Sequence, residues 1–154
     1  MQLCDYSQDQ ALLTQDDALT LPGLDEPLVL PTQDDFRIWS KNGLPVVSTT
    51  VDIDYYSGPM LYRAIIAAAI PDAPVVVVDL SETTFCDCAG LGSLFHAYQR
   101  VGEGGVEVRV VSSNPRVQKT MAISKYDRDL LVFDNLAEAV AAATRARPSY
   151  HQAA

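Results

Sequence analysis

The first 35 residues contain no lysine, arginine or histidine. They hold eight acids (Asp5, Asp9, Asp16, Asp17, Asp25, Glu26, Asp34 and Asp35), while residues 36–154 hold 12 acids and 11 bases, so nearly all of the net charge of −9 sits at the start. No basic stripe is visible, and an acidic leader repels phosphates, which argues against nucleic-acid binding. Long apolar runs are also missing. None approaches the roughly 20 residues of a membrane-spanning helix, so no membrane insertion is expected. The opening MQLCDYSQDQ has neither a basic n-region nor an apolar h-region, so it does not read as a signal peptide and a cytoplasmic location is expected. Cysteines are few: Cys4, Cys86 and Cys88. An odd number in a non-secreted chain argues against a disulfide framework. With only His96 and His151 beside them, no set of ligands for zinc is completed, and no metal or cofactor is expected.

What is present is enough apolar residue, 48%, for one core in a chain of 154. The reading is an acidic extension over 1–35, a folded domain over 36–147 and a short tail over 148–154. The extension carries Pro22, Pro27 and Pro31 and only irregular apolar residues, the pattern of a disordered segment with a short helix around 8–19. The alternative is a segment that folds back and masks a partner surface. Leu28 to Leu30 could add a short edge strand.

From Phe36 the pattern becomes regular. Phe36 to Trp39 alternates as a strand, Lys41-Asn42-Gly43 signals a turn, and Leu44 to Asp52 reads as a hairpin partner. Ser57 as N-cap and Pro59 just inside open a helix whose apolar face is Leu61, Ala64, Ile65 and Ala68. Val75 to Leu80 is a strand buried on both faces. A helix through Leu91, Leu94, Phe95 and Tyr98 follows, then a strand over Val106–Val111, a short helix from Asn114-Pro115 through Ile123, a strand over Leu130–Phe133, and an Ala-rich helix capped by Asp134 or Asn135 and ending near Arg145. The order ββ-α-β-α-β-α-β-α predicts an α/β fold: a mixed, mostly parallel sheet of four to five strands with about four helices.

The most informative stretch is residues 75–92, VVVVDLSETTFCDCAGLG. A buried strand runs into Asp79, a polar connector follows, and Asp87-Cys88-Ala89-Gly90-Leu91 turns into a helix. Such a turn places free backbone N–H groups at one exposed spot, suited to an anion or a partner loop. Asp87 is a candidate cap for a helix starting after Gly90, and Gly90 permits a close approach that a side chain would block. Asp79 reads as a loop start, Leu91 as core, His96 as solvated, and Tyr55 or Tyr56 as a candidate aromatic anchor.

This stretch resembles the central motif of the STAS domain (sulfate transporter and anti-sigma-factor antagonist): an apolar strand, Asp-Leu-Ser, a few residues, Phe, then Asp-Ser-Ser-Gly-Leu. Asp54, Ser57 and Pro59 fit the family pattern before the first helix, Ser112 to Pro115 with Val117 the third strand-to-helix loop, and Leu130 to Ala143 the closing strand and helix. The resemblance implies a non-enzymatic switch that binds an anti-sigma factor, often itself an ATP-using serine kinase. In the family, phosphorylation of the second residue after the motif Asp breaks that complex. Here that residue is Ala89, a degenerate phosphoacceptor position. The implied partner surface is Asp54, Ser57, Asp87, Cys88, Ala89, Gly90 and Leu91. Three accounts of Ala89 stand: a form always competent to bind; control elsewhere, through Thr83, Thr84, Ser93, Cys86, Cys88 or the acidic extension; or a scaffold or accessory role in a transport or stress-signalling complex. A small-ligand sensor using the helix N-terminus is a further alternative, and a homodimer through the first strands is conceivable.

An enzyme is not expected. No Ser/His/Asp ordering, phosphate loop or metal box is present, and Gly90-Leu91-Gly92 lacks the remainder of a dinucleotide fingerprint.

Overall fold

The structure is a computed structural model that describes residues 30–70 and 73–145. The acidic extension before Leu30, including the proposed helix around 8–19 and Leu28-Val29, lies outside the described residues, as do Cys4 and the tail.

Strand β1 (Phe36–Lys41) and strand β2 (Leu44–Thr49) form the expected hairpin, with Lys41 opposite Leu44. Asn42 (φ 52°) and Gly43 (φ 79°) both take positive φ, as a two-residue hairpin turn matched to strand twist requires. Helix α1 (Gly58–Ala68) follows, then β3 (Val75–Asp79), α2 (Cys88–Gly102), β4 (Glu107–Val111), α3 (Pro115–Ile123), β5 (Leu131–Phe133) and α4 (Leu136–Arg145). The five strands lie side by side in chain order; β1–β2 is antiparallel and every later pairing is parallel. The expected α/β order and the mixed sheet are therefore both present, with β3 at the centre.

The valines of β3 explain that centre. Val76 and Val78 pack under α1, α2 and α3 with Leu61, Ile65, Leu91, Leu94, Val117 and Met121. Val75 and Val77 face the other way, onto Ala139, Val140 and Ala143 of α4. All four are buried, each stabilising the fold by about 1.5–3 kcal/mol through loss of contact with water.

Two expected boundaries move. The second strand stops at Thr49 rather than reaching Asp52. The Thr49 hydroxyl accepts from Val51 N at 3.2 Å, bending the chain out of the sheet. Ile53 then forms a separate parallel bridge with Cys86. Helix α2 starts at Cys88, earlier than expected, because Asp87 is extended (φ −101°, ψ 175°) and its Oδ1 accepts Gly90 N at 2.7 Å, the contact of an N-cap. Asn114 and Asn135 cap α3 and α4 in the same way, accepting from Arg116 N and Glu138 N.

Candidate functional site

Two chain segments meet at the carboxyl ends of β2 and β3. Val51-Asp52-Ile53-Asp54 alternates, so buried Ile53 points inward while Asp52 is exposed and Asp54 half-buried. Residues 85–87 run alongside: Ile53 N donates to the Phe85 carbonyl and Asp87 N to the Ile53 carbonyl, both at 3.0 Å. This pairing sets the turn at 54–57 beside the first turn of α2, so Asp54 and Asp87 share one end of the domain.

The approach of these segments depends on Gly90. A Cβ there would lie 2.4 Å from the Ile53 carbonyl oxygen, a contact no backbone shift of ordinary size relieves. Gly58 does the same between helices, since a Cβ at that position would meet Ser93 Oγ at 2.6 Å. Gly90 thus acts by removing bulk where two backbones meet, and Gly58 where backbone meets the Ser93 side chain.

Ser57 is not the side-chain cap expected of it. Its backbone is already helical, and its Oγ instead donates to the Asp52 carbonyl at 2.6 Å and accepts from Asp54 N at 2.9 Å. Asp54 holds the turn that leads into α1: its Oδ1 accepts from Tyr56 N and Ser57 N, each at 2.9 Å. Ser57, Gly90 and Leu91 are buried. These three shape the surface from beneath instead of presenting their own atoms to it. Cys88 and Ala89 are exposed on the first turn of α2, and the Cys88 thiol lies 3.4 Å from Ser124 Oγ at the end of α3.

Ala89 offers a methyl group and no hydroxyl. Of the other hydroxyls expected to substitute, Thr83 is buried and donates to the Val51 carbonyl. Ser93 lies against Gly58, with its Oγ 3.5 Å from the Ala89 carbonyl. Thr84 is exposed and donates to Asp52 Oδ1 at 3.1 Å. Cys86, named above as a possible control point, is 1% exposed. Burial, reinforced by the nearby Asp87 and Asp52 carboxylates, pushes its thiol from 9.0 up to about 12, so it is neither accessible nor ionised near neutrality. Asp79 starts a loop as expected, accepting from Ser81 N at 3.0 Å, and His96 is exposed. Eight residues of α2 separate Cys88 from His96, about 12 Å of helix rise, too far for a thiol–base pair.

The pattern along the sequence missed two contributors. Asp52 was absorbed into an over-long strand, and Phe85 into the motif's apolar position. The alternation around Ile53 carried the first signal, because a residue flanking a buried one in extended chain points outward. Phe85 is 46% exposed, and Tyr55 and Tyr56 are 52% and 61% exposed, with their rings edge to face at 5.5 Å. Among the described residues no cluster of three or more metal-ligating side chains occurs, and no helix is long and apolar enough to cross a membrane.

A paired Asp54/Asp87 end, a glycine-dependent backbone contact and a parallel sheet in chain order define the class to which this chain belongs. The STAS domain family model matches residues 36–139, and the chain is a member of that family. An anti-sigma factor antagonist from Mycobacterium paratuberculosis is 27% identical, with a TM-score of 0.64, over 71% of this chain and 92% of that one. A putative anti-sigma factor antagonist from Thermotoga maritima is 15% identical with a TM-score of 0.65, over 73% and 97% of the two chains. The murine Slc26a9 anion transporter is 18% identical with a TM-score of 0.60, over 67% of this chain and 18% of the transporter, so the likeness there is to one part of a larger protein. No curated protein matches the chain.

Proposed function

We propose that this protein is an anti-sigma-factor antagonist that acts by binding, not by catalysis, in the cytoplasm, and that it is held in the binding-competent form. The partner is an anti-sigma factor of the serine-kinase type. The contact surface is the turn at 54–57 together with Asp87, Cys88 and Ala89, shaped from below by Ser57, Gly90 and Leu91. The single observation that carries this reading is exposed Ala89 at the first turn of α2, beside half-buried Asp87. A phosphoryl group at that residue would add about −1.5 to −2 charges next to a carboxylate, enough to break a close contact. Without a hydroxyl, that route of release is closed.

The test is a binding titration of the full chain against the kinase-type anti-sigma factors of the source genome, with and without ATP, beside Ala89→Ser. The expected result is that wild type binds and stays bound with ATP, while Ala89→Ser is phosphorylated and released. Failure of every such protein to bind either form would overturn the reading. A second reading, an accessory role in a transport complex, draws its support from the likeness to part of an anion transporter. Co-purification with a membrane permease in place of an anti-sigma factor would favour it.

A further inference from the structure

Strand β1 is one edge of the sheet: among the described residues it pairs with β2 alone. It has six residues, against three in β5 at the other edge. The hairpin register decides which of its backbone groups are free. Lys41 and Leu44 flank a two-residue turn and so form a hydrogen-bonded pair, and such pairs alternate along an antiparallel ladder. Trp39–Val46 and Arg37–Ser48 therefore use their N–H and C=O groups inside the hairpin, while those of Ile38 and Ser40 point outward from the sheet. Pro45, with no N–H to offer, stands opposite Ser40 at a pair that needs none. Large apolar side chains stand on both faces of this edge. Ile38, opposite Val47 on the face of α1 to α3, is 48% exposed; Trp39, opposite Val46 on the face of α4, is 41% exposed. The Trp39 indole lies along its own sheet, with Nε1 donating to Ser48 Oγ at 3.1 Å. A six-residue edge with neither proline nor charge between Ile38 and Ser40 is a template for another strand.

We infer that β1 of a second copy fills this edge, antiparallel and centred on Ile38. A two-fold axis through such a pair lets one patch serve on both sides. The side chains select the register. Centred on Ile38, the pairing sets Ile38 against the partner's Ile38, Arg37 against the partner's Trp39, and Lys41 beside the partner's Asp34 and Asp35. The first contact buries two apolar side chains, the second stacks a guanidinium on an indole, and the third joins unlike charges. Centred on Trp39, the pairing would set Arg37 against the partner's Lys41, with like charges directly opposed. Centred on Ser40, it would set Ile38 against the partner's Asn42 in the hairpin turn and leave apolar surface wet. The chain's own extension is a poorer occupant. Leu30 and Pro31 line a groove with Val51, Asp52 and Thr84, so the chain enters β1 over the end of the sheet and not along its outer edge. In the paired form β2 and β3 of the two copies run in opposite directions. The two 54–57 turns then lie at opposite ends of the joined sheet, and both proposed contact surfaces stay open. The inference goes beyond the antagonist reading and does not depend on it.

The test uses the full chain and no other protein, so its failure and that of the antagonist reading are separate events. Sedimentation is followed from about 1 to 500 μM, a range suited to a small interface, together with the emission of Trp39, the sole tryptophan. The mass is expected to rise from monomer to dimer, with a blue shift of Trp39 emission and slowed exchange of the Ile38 and Ser40 amides over the same range. A monomer throughout overturns the inference. So does protection of those two amides in a monomer, which would make the chain's own extension the occupant. Ile38→Lys sets two like charges against each other and is expected to raise the dissociation constant about tenfold or more, with circular dichroism unchanged. A dimer of undiminished strength in this variant overturns the inference. The register has its own check, which holds whether or not Ile38→Lys folds. Facing Cα atoms at a hydrogen-bonded pair lie about 5.5 Å apart, a separation that a disulfide spans. On mild oxidation Ile38→Cys is expected to link to its own counterpart, as located by peptide mapping, while Ser40→Cys is not. Linkage through residue 40 in place of residue 38 overturns the inferred pairing.

Discussion

Cys88 and Ala89 are open to solvent, whereas Gly90 and Leu91, the next two residues of the same helix, are buried. All four belong to one motif, yet they do different work. Under the proposed function, the outer pair is what a partner meets. The inner pair decides whether the surface exists, because Gly90 lets α2 press on the Ile53 carbonyl and Leu91 anchors the helix in the main core. A family motif is therefore a mixture of contact and scaffold, and burial separates the two where residue type does not.

That division can be broken from the inside outward. Leu91→Ala should cost the most, about 4 kcal/mol, by opening a cavity among fully buried side chains; urea unfolding checks it, and a loss under about 1 kcal/mol would show that Leu91 is not core. Gly90→Ala should cost about 3 kcal/mol, since the gain in helix propensity does not offset a Cβ driven into backbone. The same urea unfolding should show lowered stability for both variants, and an unchanged unfolding midpoint for Gly90→Ala would mean the segments can separate freely.

The buried thiol sharpens the comparison through pH. In the folded chain Cys86 is held up to about 12 from 9.0, so the unfolded state loses its proton first. The stabilisation is therefore full below about pH 9 and is lost as pH rises from there towards about 12. By pH 10.5 the loss should reach about 2 kcal/mol, and it should be absent from Cys86→Ala; equal pH slopes in the two proteins would refute it.

Nearer the surface the effects shrink. Asp87→Ala removes the cap on Gly90 N and should cost about 1 kcal/mol in the same unfolding assay. Ala89→Ser should stay within about 0.5 kcal/mol of wild type, because the added hydroxyl points into solvent. A large loss there would mean that Ala89 is part of the scaffold after all.

Much of this architecture was legible along the chain. The four valines of β3, the Asn42-Gly43 turn, the apolar face of α1 and the Asn caps of α3 and α4 are local signals, carried by neighbours a few residues apart. The site was legible as a motif but not as a surface. Ser57 looked like a side-chain cap by type, while in space its hydroxyl is spent on the Asp52 carbonyl and Asp54 holds the turn before the helix. Asp52 and Phe85 lie 33 residues apart in the chain and share a face only because Ile53 bridges to Cys86.

Composition, periodicity and spacing were enough to settle the α/β order and the centre of the sheet; Ala89 as a degenerate phosphoacceptor position is what the motif's resemblance to the family implies. These depend on residue type and on contacts a few positions apart. Which motif residues face outward and which cysteine is shut away were decided by the tertiary structure alone. Burial and electrostatic fields are sums over neighbours far apart in the chain, and only folding brings those neighbours together.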